Sequence, residues 1–149
     1  MLIRPIKIDD VRRATDLVRA HYEEVEGDKA GNALDPDWVA FGELERAGRL
    51  FCLGVFDGWA LVGYSLNIDV PAHLHYRGTH YAQNSAFFVA KKHRRGGTGR
   101  ALMAATEAAA KALGATRLLT HAKVGTAYER MLDRSGFRVV EVMHGKELH

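Results

Sequence analysis

The chain has 149 residues, 47% of them hydrophobic, which is material for a single domain spanning 1–149 with a core that needs no covalent staples. Its 21 basic and 18 acidic residues are interspersed and leave a formal charge of +3, so a nucleic-acid partner is permitted but not favoured. Cys52 is the single cysteine, which excludes an internal disulfide and a multi-cysteine zinc site, and its apolar strand context reads as buried and structural. The start, Met1 to Ile6, lacks the basic-then-apolar pattern of a secretory signal, and no apolar run approaches membrane-spanning length; a soluble cytoplasmic protein with no membrane partner is expected.

Leu2 to Pro5 reads as a first strand. Asp9 is placed to cap a helix whose apolar stripe is Val11, Ala14, Val18, Tyr22 and Val25, ended by the polar stretch from Gly27 to Asn32. Asp35-Pro36 offers the cap and first-turn proline of a second helix, which turns Trp38, Phe41 and Leu44 inward and runs to about Gly48. Leu50 to Phe56 and Trp59 to Val70 are strands joined by the turn signal Asp57-Gly58, an antiparallel hairpin. Pro71 to His80 is polar and histidine-rich, as in an exposed loop, and Tyr81 to Ala90 returns to strand character.

The run Arg94-Arg95-Gly96-Gly97-Thr98-Gly99 follows. Its glycines let the backbone turn tightly and bring several N–H groups together at the positive end of the next helix, a place to hold a phosphate. That helix carries Leu102, Ala105, Thr106, Ala109 and Leu113 on one face and closes at Gly114. Thr116 to Ala122 is then a strand parallel to the one before the loop, Gly125 to Ser135 a helix, and about Phe137 to Leu148 a last strand. The fold class is α/β, a mixed central sheet flanked by helices in the order β-α-α-β-β-β-α-β-α-β.

Two nucleotide motifs are excluded by spacing. A Walker loop needs Lys-Ser or Lys-Thr after its second glycine, where Arg100-Ala101 stands, and the dinucleotide fingerprint needs a glycine where Leu102 stands. The pattern Arg94-x-x-Gly97-x-Gly99 and the order of elements instead resemble the GNAT superfamily of N-acetyltransferases over essentially the whole chain. The segment from His75 to Gly99 also resembles small acetyltransferases encoded in bacteriophage genomes.

The resemblance implies acetyl-CoA as co-substrate. It implies that the pyrophosphate rests on backbone N–H groups from Arg95 through Gly96, Gly97, Thr98 and Gly99 to Arg100, with the Thr98 hydroxyl as a further donor and Arg94 as the first residue of the motif. It implies that the pantetheine arm lies along Phe87, Phe88 and Val89, with an N–H from Phe88 or Val89 polarising the thioester carbonyl. Relatives often protonate the departing thiolate with a tyrosine four residues before a Gly-Phe pair. Here Gly136-Phe137 is present and that position is Leu132.

Tyr128, one helical turn earlier, is the candidate substitute acid, against the simpler role of packing its ring between helix and sheet. Glu24 and His80 are the candidate bases, from a field that also holds Glu23, Asp69 and Ser85; each has a plain structural reading as well. His73, His75 and His80 form the histidine cluster, read as loop or acceptor-contact residues, and no metal is expected. The acceptor is an amine of a small molecule or protein: the acid-rich tract from Tyr22 to Asp28 suits a cation, while Lys91, Lys92, Arg94 and Arg95 suit the phosphates of CoA or an acidic partner. A silent CoA-binding sensor or interaction module and a nucleic-acid-directed acetyltransferase are the alternatives, and a homodimer through the last strand is compatible with the family.

Overall fold

In the computed structural model, which describes residues 1–26 and 33–149, five strands form one sheet in the order β1-β2-β3-β4-β5. The strands are β1 (Leu2–Ile6), β2 (Leu50–Asp57), β3 (Ala60–Val70), β4 (Tyr81–Val89) and β5 (Arg117–Thr120). The first four are antiparallel neighbours, and β5 pairs parallel to β4. The helices are α1 (Ile8–Arg13), α2 (Thr15–Val25), α3 (Trp38–Arg46), α4 (Thr98–Ala112) and α5 (Ala127–Arg134). The stretch from Gly27 to Asn32, expected to end the first helix, lies outside the described residues; α2 closes at Val25 with Glu26 as its cap.

The expected first helix is two helices. Asp9 does not cap it, because Lys7 does: the Lys7 N–H donates to the Asp10 carboxylate at 2.9 Å, while Asp9 pairs with Arg12 and Arg13. Ala14 leaves the helical region at ψ 55°, separating α1 from α2. The second expected helix is capped by Asp37 rather than Asp35, with Asp37 Oδ1 accepting from the Ala40 N–H at 2.9 Å. Trp38, Phe41 and Leu44 pack inward as their spacing requires.

Strand alternation divides the core between the sheet's two faces. On the α1–α3 face Cys52, Phe56, Tyr64, Leu66 and Phe88 meet Ile8, Val11 and the three inward residues of α3. On the α4 face Leu53, Val55, Val62 and Val89 meet Leu102. Leu102 is fully buried, and truncating it to Ala costs about 2–5 kcal/mol.

The expected last strand does not form. Residues 137–149 are irregular, and Val139, Val142 and Met143 are exposed. Their alternation satisfies a strand pattern, but strand propensity is realised only against a packed neighbour, and β5 offers a template of only four residues.

Candidate functional site

The site is built where β4 and β5 part. Their parallel ladder runs from Tyr81↔Arg117 to Asn84↔Thr120 and ends there. In the pairing of β4 with β3, Asn84 faces Asn67 and Ala86 faces Leu66, so Ser85 is an extra residue, a bulge that kinks β4 at the fork. Beyond it Ala86 to Val89 pair with β3 alone.

The Ala90 N–H donates to Val62 O at 2.8 Å, which fixes the direction of the amides before it. Neighbouring amides of a strand point to opposite edges, so Phe88 addresses β3, while Phe87 and Val89 address the open edge. Of the two amides named for a thioester carbonyl, the one facing the cleft is therefore that of Val89.

The glycine loop lies just past this edge. Short 3₁₀ turns at Lys91–His93 and Arg95–Gly97 lead into α4, with Gly96 at φ 76° and Gly97 at φ 83°, conformations strongly disfavoured for other residues. The first N–H groups of α4 have no partner within the helix and carry its positive dipole end, while Arg95 and Arg100 stand exposed around them. Gly99 has another duty: a Cβ there would stand 3.0 Å from Met131 Sδ, so it lets α5 approach α4. The Thr98 hydroxyl is not free to serve as an extra phosphate donor, because Thr98 is buried and its Oγ1 donates to Arg95 O at 3.3 Å.

Arg94 faces away from the loop. Nη1 and Nη2 donate to Glu24 Oε1 and Oε2, both at 2.7 Å, Nε donates to Val89 O at 2.7 Å, and the guanidinium lies 5.3 Å from the centre of the Phe88 ring. Glu24, expected as a base, is thereby engaged by Arg94. The hydrogen bonds from Arg94 hold its carboxyl below the usual range, and both its oxygens are engaged.

His80, the other expected base, stands elsewhere. It stands just before β4, nine residues or roughly 30 Å of strand from Val89, where its Nε2 meets Asp69 Oδ1 at 2.6 Å. The closed part of the ladder separates it from the loop. Of the other cluster members, His73 Nδ1 accepts from the His75 N–H at 3.0 Å and stacks near Tyr76.

Tyr128 reaches the fork. Its ring stacks on Phe87 with centroids 4.8 Å apart, and its hydroxyl lies 2.7 Å from Thr120 Oγ1 and 3.3 Å from Asn84 Oδ1. Burial pushes its pKa up to about 12, so it stays protonated at neutral pH. Cys52 is likewise pushed up to about 12 by burial, which leaves no thiolate for covalent chemistry.

Three residues at the site escaped sequence reasoning. Asn84 and Thr120 read as ordinary strand residues. His21 stacks on Phe88 with centroids 4.7 Å apart, its Nδ1 is 2.7 Å from the Tyr64 hydroxyl, and burial lowers its pKa to about 4. The signal for His21 was its spacing, three residues after Val18 and four before Val25 on the inward stripe of α2.

The acetyltransferase (GNAT) family profile matches residues 12–137. The chain belongs to the GNAT acetyltransferase family.

Solved GNAT-fold structures agree over nearly the full length. A tetramutant of the BH1408 protein from Bacillus halodurans superposes with a TM-score of 0.75 at 20% identity, covering 99% of this chain and 100% of that one. A ribosomal-protein-alanine N-acetyltransferase from Brucella melitensis biovar Abortus 2308 gives 0.70 at 18%, covering 100% of both. An aminoglycoside acetyltransferase from an uncultured soil metagenomic sample, in complex with sisomicin, gives 0.72 at 17%, covering 98% and 96%. At these identities the likeness shows the GNAT fold alone, and no curated protein shows significant sequence similarity to the chain. Among the described residues no helix is long and apolar enough to cross a membrane, and no group of three or more His, Cys, Asp or Glu is placed to hold a metal ion.

Proposed function

We propose that the protein moves an acetyl group from acetyl-CoA to an amine of a small molecule or protein by direct transfer in a ternary complex. The observation that carries this is the open edge of β4 from Ala86 to Val89, ending beside the glycine loop and the start of α4. The residues present fit the co-substrate: free amides for an extended arm, a helix N-terminus with Arg95 and Arg100 for phosphates, and Phe87 and Tyr128 as an apolar wall. When bound, acetyl-CoA supplies the activated thioester.

In this reading the Val89 N–H polarises the thioester carbonyl, and Arg94, through Val89 O, holds that stretch of backbone in place. Tyr128 is the group that returns a proton to the leaving sulfur. The acceptor's own proton leaves through water, since Glu24 is engaged by Arg94 and His80 is remote. The lone cysteine is buried, which favours direct transfer over an acyl-enzyme.

The test is an acceptor panel with acetyl-CoA, read by intact mass and free-thiol release, that includes sisomicin, other aminoglycosides and alanine-terminated peptides. An acetylated amine formed in step with CoA release supports the proposal. A second reading, a silent CoA-binding module, is favoured by Leu132, buried where relatives often carry tyrosine. Acetyl-CoA raising the melting temperature with no acceptor in the panel modified would decide for it.

A further inference from the structure

The fork is held by a small polar cluster, and its geometry assigns directions to the hydrogens. Asn84 Nδ2 faces four acceptors: Ser65 Oγ at 3.1 Å, Leu66 O at 3.2 Å, Asn67 Oδ1 at 2.8 Å and Ala86 O at 3.2 Å. Ser65 Oγ also lies 3.0 Å from Thr106 Oγ1, which ties the cluster to α4. So many acceptors on one side fix the amide against a flip, and Asn84 Oδ1 must face the other way. There it meets Thr120 Oγ1 at 3.4 Å and Tyr128 OH at 3.3 Å, which are 2.7 Å from each other.

Two hydroxyls thus share one fixed acceptor. One donates to its neighbour and the neighbour donates to Asn84 Oδ1, and turning both rotors exchanges the roles. Tyr128 ends this symmetry if it gives its hydrogen outward, because its oxygen then needs a donor. Asn84 presents only an acceptor to it. Among the described residues, Thr120 is the group at the fork that has both a hydrogen to give and the short distance to give it. Its place is secure, since it is the last ladder residue of β5, paired with Asn84.

We infer that Thr120 is a positioning residue for the Tyr128 acid, its hydroxyl turning from Asn84 Oδ1 to donate to the Tyr128 oxygen as that oxygen surrenders its proton. This rests on the reading of Tyr128 as the acid. In the step, the C–N bond forms, the C–S bond breaks, the Tyr128 O–H bond breaks and an S–H bond forms on the departing CoA thiolate. The acceptor ammonium has by then lost one proton to bulk water; the phenolate accepts from Thr120 and regains, through water, the second proton that the nitrogen loses as the amide forms. Burial resists that phenolate, and a hydrogen bond from Thr120 opposes the effect of burial.

Thr120→Val keeps the shape and removes the donor, Thr120→Ser restores it, and Tyr128→Phe removes the acid. The readouts are kcat and KM for acetyl-CoA with the fastest acceptor of the panel, the pH profile of kcat, and ¹⁹F NMR titration of ligand-free protein carrying 3,5-difluorotyrosine, whose lower intrinsic pKa brings ionisation into an accessible range. Tyr128→Phe assigns the resonance.

Thr120→Val is expected to lower kcat about tenfold, with KM for acetyl-CoA changed less than about twofold, and to raise the Tyr128 ionisation by about one pH unit. Thr120→Ser recovers both, and Thr120→Val added to Tyr128→Phe costs nothing more. If Tyr128→Phe is impaired while Thr120→Val turns over like the parent, or Thr120→Ser fails to recover, the positioning role is wrong and the acid reading stands. Parent-like kcat in Tyr128→Phe removes the acid reading and this inference with it.

Discussion

The two ends of β4 carry the same kind of ornament and serve opposite purposes. At the far end Asp69 and His80 meet at 2.6 Å beside a ladder that is closed, with Thr116 N–H donating to His80 O at 2.9 Å. At the near end Glu24 and Arg94 meet at 2.7 Å beside an edge that is open, and Arg94 reaches on to Val89 O. A short contact between an acidic and a basic side chain is therefore no mark of a site in this fold. What separates the ends is the backbone: where β5 departs, β4 keeps amides with no strand to receive them, and it is to these that the proposed function assigns the arm of acetyl-CoA.

The sharpest break of this contrast is at the loop. Gly97→Val forces a β-branched residue to positive φ, at a cost of roughly 1–2 kcal/mol or more, and misplaces the N–H groups at the start of α4. The expected result is the loss of at least about tenfold in acetyl-CoA affinity, or about 1.4 kcal/mol, seen as a vanishing ligand-induced rise in melting temperature. Arg94→Met comes next. The pair with Glu24 is partly exposed, so stability changes by only about 0–1 kcal/mol, while kcat/KM falls several-fold because Val89 O loses its donor. Arg94→Lys does not restore it, since an ammonium cannot hold Glu24 with a fork and Val89 O at once.

The pH dependence of stability sharpens the same end. His21 has its pKa lowered to about 4 by burial against an ordinary value of 6.5. Between those values the unfolded chain binds a proton that the folded one refuses, so stability is full above about pH 6.5 and falls as pH drops toward 4, by up to about 3 kcal/mol. Glu24, with its carboxyl held low by Arg94, acts in the same direction: the stability it brings is lost as pH falls through its lowered pKa. Melting curves from pH 7.5 to 4.5 should show the decline, and His21→Gln should flatten its upper part.

The smallest effect belongs to the closed end. His80→Gln is expected to leave kcat/KM within about twofold while costing about 1 kcal/mol of stability. A tenfold loss of activity would show that the closed end takes part in the reaction and would remove the contrast.

By itself the sequence determined the strands through β5, the inward residues of α3 and the glycine loop, because periodicity, turn chemistry and the freedom of glycine act over a few neighbouring residues. It also placed the loop directly after β4, the context on which the expectation of a phosphate cradle rested.

Local signals fell two residues from the mark at two helix starts, and they could not foresee a partner far along the chain. Asp9 and Asp35 have the chemistry of caps, yet Lys7 and Asp37 hold those positions; Glu24 has the chemistry of a base, yet Arg94 lies 70 residues away and claims it. The valines after Phe137 have the pattern of a strand but no packed sheet neighbour. Only the tertiary structure decided where the fork opens, the direction of the Val89 amide and the meeting of Asn84, Thr120 and Tyr128. Each of these depends on which strand lies beside which and where their pairing stops, and register between distant segments is set by packing across the whole sheet.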